Sequence, residues 1–165
     1  MTRSRFFHPS PRRQSGASLL EVLIAVLIMG IGLLGIAALQ TTALRNSQSS
    51  LERSQAVIQT YAILDTLRAS RAEALGELYN TVGWMCTPPV GASVIVTDQA
   101  SWINAMKTTM GLPGDNTTCG NIACVTLSGL CTVSVRWDDS RAAEAGAGGV
   151  QAGSTTRQVQ TVVRL

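Results

Sequence analysis

One apolar run near the N-terminus, "ASLLEVLIAVLIMGIGLLGIAAL", limits what this chain can fold into more than any other feature. Of its 23 residues, Ala17 to Leu39, only Ser18 and Glu21 are clearly polar. At about 1.5 Å of rise per residue, a helix of this length covers the roughly 30 Å hydrocarbon thickness of a bilayer. The run therefore reads as a membrane segment, and the 165-residue chain as one modest domain with that appendage. Glu21 is the anomaly. A carboxylate in an apolar span costs roughly 2–3.5 kcal/mol on insertion scales, less near an end, and by default marks a function.

Charge orients the segment. The net charge of +3 belongs to the residues before Gly16, where Arg3, Arg5, Arg12 and Arg13 occur without any acid. Such a leader holds the N-terminus in the cytoplasm and sends the C-terminal part outward. The remainder is close to neutral and offers no basic field for nucleic acid. Cys86, Cys119, Cys124 and Cys131 then fall on the exported side, where disulfides form and persist. A cleaved secretory signal fits poorly, since the apolar core is too long, contains an acid and ends in "GIAALQ". A plain anchor explains neither Gly16 nor Glu21.

The stretch "GASLLEVLIAV" resembles the signature of type IV pilins and type II secretion pseudopilins. In that family a short basic leader ends in glycine, and a glutamate stands five residues after the cut. The resemblance implies that a prepilin peptidase cuts between Gly16 and Ala17, that Ala17 becomes a methylated N-terminus, and that Glu21 is the matching glutamate. Ala17 departs from the family's preferred phenylalanine or methionine. The new amine would lie about one helical turn from Glu21. In a packed filament, the amine of one subunit would meet Glu21 of the next and set their register, as buried ion pairs do best. Gly30, Gly32 and Gly35 admit two readings, close approach between helices or a place where the helix loosens on leaving lipid.

Beyond Leu39 the helical pattern continues without proline until Pro88. Leu44, Leu51 and Ile58, then Val57, Tyr61, Leu64 and Leu67, predict one buried stripe, with Glu52, Arg53, Arg68, Arg71 and Glu73 partly covering the opposite surface. The helix is expected to end at Gly76 or near Asn80. "ASVIVT" reads as a short strand and "QASWINAMKTTM" as a short helix with Trp102, Met106 and Met110 on one face. "IACVTL" and "LCTVSVRW" read as a hairpin turning near Ser128–Gly129, "AAEAGAGGVQAGST" as a flexible connection and "TRQVQTVVRL" as a last strand. The fold class is α+β, a long N-terminal helix packed on a small antiparallel sheet. Type IV pilin heads share that form. The expected organisation is a leader over 1–16, a membrane and filament-core helix half over 17–39, an amphipathic half over 40–80 and a head over 81–165.

Four cysteines permit three pairings, and sequence alone does not choose among them. The hairpin favours Cys124 with Cys131, leaving Cys86 with Cys119; closure of Cys119–Cys124 is the runner-up. Zinc is a poor alternative, because no histidine follows Gly16. The lone histidine, His8, lies in the leader, so no Ser-His-Asp or Cys-His set exists after cleavage, and no phosphate-binding glycine motif appears. Asp138 and Asp139 read as a solvated turn in preference to a carboxylate pair or calcium ligands, and "NTT" at Asn116 is a weak glycosylation match. No enzyme, cofactor or metal is expected.

Within the family, "GIGLLGIAALQ", "CTVSVRWDD" and the closing apolar strand resemble PilV-type minor pilins. That resemblance implies partners (other minor pilins, the major pilin, a tip adhesin) and a role in priming assembly, adhesion and twitching. It also implies an inner-membrane stage with a periplasmic head, then a place at the pilus tip, in a Gram-negative bacterium. A type II secretion minor pseudopilin of the I type and a membrane-anchored periplasmic scaffold are the alternatives.

Overall fold

The computed structural model describes Gly16, residues 18–140 and residues 154–165. The rest of the leader, Ala17 and the "AAEAGAGGVQAGST" connection as far as residue 153 lie outside the described residues. Helix α1 runs Leu19–Ala69, and the chain divides into two compact units at Gln40. In the first unit the apolar side chains of α1 are all exposed, and none of its most apolar window is buried. Length and composition suffice for that stretch to cross a membrane.

The second unit, Thr41–Leu165, holds the remainder of α1 with α2 (Arg71–Leu75), α3 (Val94–Thr109), β1 (Cys119–Val125), β2 (Leu130–Trp137) and β3 (Arg157–Arg164). The strands form one antiparallel sheet in the order β1-β2-β3, with Cys124 opposite Cys131 and Val133 opposite Thr161. Gly129, at φ 65°, closes the β1–β2 turn in a conformation that disfavours other residues. Ile63, Leu64 and Leu67 of α1 meet Trp102, Ile103 and Met106 of α3 and Ile122, Val133, Val135 and Trp137 of the sheet in one core. This is the α+β architecture expected of the sequence.

The outer edge of β1 is not left open. Thr81 N–H donates to the Ile122 carbonyl at 2.9 Å, Met85 exchanges two backbone bonds with Gly120, and the Asn80 side chain both donates to and accepts from the Cys124 backbone. An edge covered in this way cannot pair with a foreign strand. Gly120 is required there, since a Cβ would overlap the Trp102 ring.

Three expectations need correction. "ASVIVT" is not a strand but opens α3. Ser93, extended at φ −75° and ψ 151°, accepts the Val96 N–H at 3.2 Å and so caps the helix. From there Ile95, Gln99, Trp102, Met106 and Met110 lie on one helical face and turn into the core. That packing outweighs the few tenths of a kcal/mol by which β-branched residues disfavour a helix. The buried stripe of α1 also differs. It comprises Glu52, Ala56, Thr60, Ile63, Leu64 and Leu67, whereas Leu44, Leu51, Ile58 and Tyr61 are each more than half exposed. Small residues decide the matter. Ala56 and Thr60, whose hydroxyl donates back to the Ala56 carbonyl, admit close neighbours, and Trp102 Nε1 of α3 reaches the Gln59 carbonyl at 3.0 Å. Finally, α1 stops at Ala69, and the separate turn α2 follows Ser70 before Gly76.

The loop after α3 is organised around Asp115. Its carboxylate accepts the Leu112, Thr117 and Thr118 N–H groups at 2.7, 2.9 and 2.6 Å, and Lys107 Nζ donates to its carbonyl. Burial alone would raise the Asp115 carboxyl, but these backbone donors and the Lys107 ammonium outweigh it and hold the group below its ordinary 3.8. A depressed carboxyl contributes stability fully above its unfolded value and loses it as pH falls through the lower folded value. Asp115→Ala should therefore cost the head about 2 kcal/mol at neutral pH. The deficit should shrink below about pH 4, where the wild-type carboxyl also becomes protonated. Chemical denaturation at pH 7 and at acid pH measures both.

Candidate functional site

Of the residues singled out around the proposed cut, Gly16 precedes α1 and Glu21 lies within it. Gly16 is exposed, and a Cβ there would meet nothing within 4 Å, so no packing against the described residues calls for glycine. Ala17 lies outside the described residues. Glu21 sits in the first turn of α1, where a negative charge is favoured by the helix dipole. Among the described residues its carboxylate meets no hydrogen-bond or ion-pair partner, which leaves it available to another molecule. Its backbone is engaged. Glu21 N–H donates to Ser18 Oγ at 3.1 Å, and Val22 N–H to the Ser18 carbonyl at 3.2 Å.

Ser18 is thus the N-cap of α1, a role the sequence reading missed. The signal was present in "SLLE", the S-x-x-E spacing of a capping box. The two polar residues of the apolar run are three apart because one turn of helix separates a cap from its N3 partner. Helix α1 continues unbroken through Gly30, Gly32 and Gly35, and a Cβ on any of them would meet nothing within 4 Å. No contact among the described residues requires these glycines.

In the head, the sulfurs join as Cys86–Cys119 and Cys124–Cys131, and no described cysteine is free. Cys119 and Cys124, the runner-up pair, are bonded elsewhere. The Cys124–Cys131 bridge lies directly across the hairpin, whereas Cys86–Cys119 ties the loop along the β1 edge to the strand. That loop has further anchors, with the Arg136 guanidinium 4.6 Å from the Trp84 ring centre and Asn121 Nδ2 donating to the Gly83 carbonyl at 2.7 Å. A disulfide typically contributes about 2–4 kcal/mol. Alkylation of the unreduced folded protein should label none of the four cysteines, and two or more labelled thiols would refute the pairing.

The carboxylates at the end of β2 separate in role. Asp138 accepts the Ser140 N–H at 2.8 Å, as a turn residue does. Asp139 corrects the expectation of a solvated turn, because it is only 2% exposed. It accepts from Ser49 Oγ of α1 at 2.7 Å and from Arg157 Nε of β3 at 3.1 Å, while its N–H donates to the Ser154 carbonyl. Asp139 is a structural clamp that ties both ends of the 141–153 connection to α1. Among the described residues, no group of three or more His, Cys, Asp or Glu side chains is placed to hold a metal ion.

Residues 11–37 match the family described as the prokaryotic N-terminal methylation motif, which spans the leader's end, Gly16, Glu21 and most of the apolar helix. No curated protein and no solved structure matches the chain. The motif, on a long helix packed on a small antiparallel sheet, supports a type IV pilin-like protein, either a pilin or a pseudopilin. Proteins of that family are structural subunits. The motif and the apolar helix also support anchoring in a membrane.

Proposed function

We propose that this chain is a minor pilin of the type IV pilus, of the PilV type. A prepilin peptidase removes residues 1–16, and Ala17 becomes the methylated N-terminus. The 17–39 half of the helix holds the subunit in the inner membrane, while the 40–80 half and the 81–165 head face the periplasm. The subunit then leaves the bilayer with other minor pilins, the major pilin and a tip adhesin, and helps to prime assembly, adhesion and twitching. No cofactor or catalytic group takes part.

The observation that carries this reading is the methylation motif on a helix whose most apolar window is left unburied by the described residues. Such a surface is satisfied first by lipid and then by neighbouring helices of like composition, so one segment serves both stages. The four leader arginines suit only the first. They would be uncompensated charges inside a filament core, which is why removal must precede assembly. The resemblance of "GIGLLGIAALQ" and "CTVSVRWDD" to PilV-type minor pilins supports pilus membership.

Deleting the coding gene in its host provides the test. The expected result is loss of surface pili and twitching, with secretion of exported enzymes unchanged. A secretion defect with normal pili would assign the chain to the pseudopilins instead, and neither defect would point to a membrane-anchored scaffold.

A further inference from the structure

One cavity in the head is bordered mainly by side chains that carry hydrogen-bond donors. Asn46, Ser49, Ser50 and Arg53 share one face of α1, because successive steps of three, one and three residues return to the same side of a helix. With Trp137 at the end of β2 and Arg157 at the start of β3, they line a cavity of ≈ 220 Å³. Two of these groups are unmatched. The Trp137 indole N–H is buried, in a residue only 1% exposed, and has no hydrogen-bond partner. The exposed Arg53 guanidinium has no hydrogen-bond or ion-pair partner among the described residues. From this arrangement we infer that the cavity is a binding site for a carboxylate group.

The chemistry of the lining selects the ligand. An indole N–H can only donate, so its missing partner is an acceptor, and a buried donor left unpaired is uncommon in folded proteins. Charge decides the kind of acceptor. Asp139 also lines the cavity, but its carboxylate accepts from Ser49 Oγ at 2.7 Å and from Arg157 Nε at 3.1 Å, so the Asp139 and Arg157 charges offset each other. Arg53 is then the surplus cation. One singly charged anion balances it, and the planar guanidinium fork matches the two oxygens of a carboxylate. Asn46 and Ser50, both exposed, add neutral donors beside it. An apolar ligand would leave the Trp137 N–H unpaired, and a cation would be repelled by both arginines. The site is independent of the prepilin reading, since all of its residues lie in the second unit and none in the methylation motif.

Indole N–H resonances of the full-length chain in micelles follow the three tryptophans separately. Trp102 is the internal reference, because its Nε1 already donates to the Gln59 carbonyl at 3.0 Å. Sodium acetate, exchanged for sodium chloride at constant ionic strength, should move the Trp137 signal saturably and leave Trp102 still. The expected Kd is on the order of 1–10 mM, within the ceiling for so small an anion. Arg53→Gln should weaken acetate about ten-fold, the loss of one charge-assisted hydrogen bond, and Arg53→Lys should weaken it less because the charge remains. Arg68→Gln, which alters an exposed arginine paired with Asp65 elsewhere on α1, should change nothing. A blocked tripeptide with a central glutamate, titrated in the same way, identifies the source of the carboxylate. Tighter binding than acetate assigns the site to an acidic side chain of another protein, and weaker binding assigns it to a free small carboxylate. A Trp137 signal that acetate does not move, or moves equally in Arg53→Gln, overturns the inference.

Discussion

Gly16→Val should leave the leader attached, so that the membrane-extracted protein retains Met1 or begins just after it, whereas the wild type begins at Ala17 with an added methyl group. The expected effect is near-complete loss of processing. Position 16 has no packing role against the described residues, since a Cβ there meets nothing within 4 Å, so valine should leave the head folded. Its branched side chain acts only on an incoming peptidase, for which glycine leaves the backbone bare on both sides of the cut. The uncut subunit keeps Arg3, Arg5, Arg12 and Arg13, and should reach the membrane normally but be absent from filaments. Intact mass spectrometry and blotting of sheared pili measure the two halves of this prediction. A wild-type protein still carrying its leader in cells with an active peptidase would refute it.

Glu21→Leu should separate a filament subunit from a mere anchor. Leucine makes the span more apolar, so insertion should be unchanged or improved. The cap also survives, because Ser18 Oγ receives the backbone N–H of residue 21 and not its carboxylate. Loss of a first-turn charge costs the helix only about 0.3–1 kcal/mol. What disappears is the carboxylate itself, which has no partner among the described residues and is available to a neighbour's new amine. That amine would remain uncompensated in an apolar bundle, a penalty of about 3–5 kcal/mol when one member of a buried pair is removed. The mutant should therefore be cleaved and retained in the membrane at wild-type levels, yet be lost from sheared pili and from co-purification with other minor pilins. Entry into pili at the wild-type level would show that Glu21 does not set the register.

Much of this protein is written locally. The apolar span, its arginine leader, the S-x-x-E cap and the alternating hairpin of β1 and β2 are patterns within short windows, where side-chain period and backbone capping act without distant partners. They carry the fold class and the methylation motif, a local pattern that needs no tertiary structure. The remaining features depend on groups far apart in sequence. Leu44, Leu51 and Ile58 form as apolar a stripe as the one that is buried, and only the close approach of α3 to Ala56, Gln59 and Thr60 selects the inner face. "ASVIVT" has strand composition, and its helical fate is decided by the Ser93 cap and by the core that receives Ile95 and Trp102. Asp139 stands between the polar Asp138 and Ser140 in sequence, yet Ser49 and Arg157 remove it from water. The four cysteines allowed three pairings until strand register set Cys124 opposite Cys131. Periodicity thus determined the long helix, the hairpin and the apolar span, whereas the fate of "ASVIVT", burial, ion pairing and cross-linking were decided by long-range packing, because each requires a partner that sequence proximity does not supply.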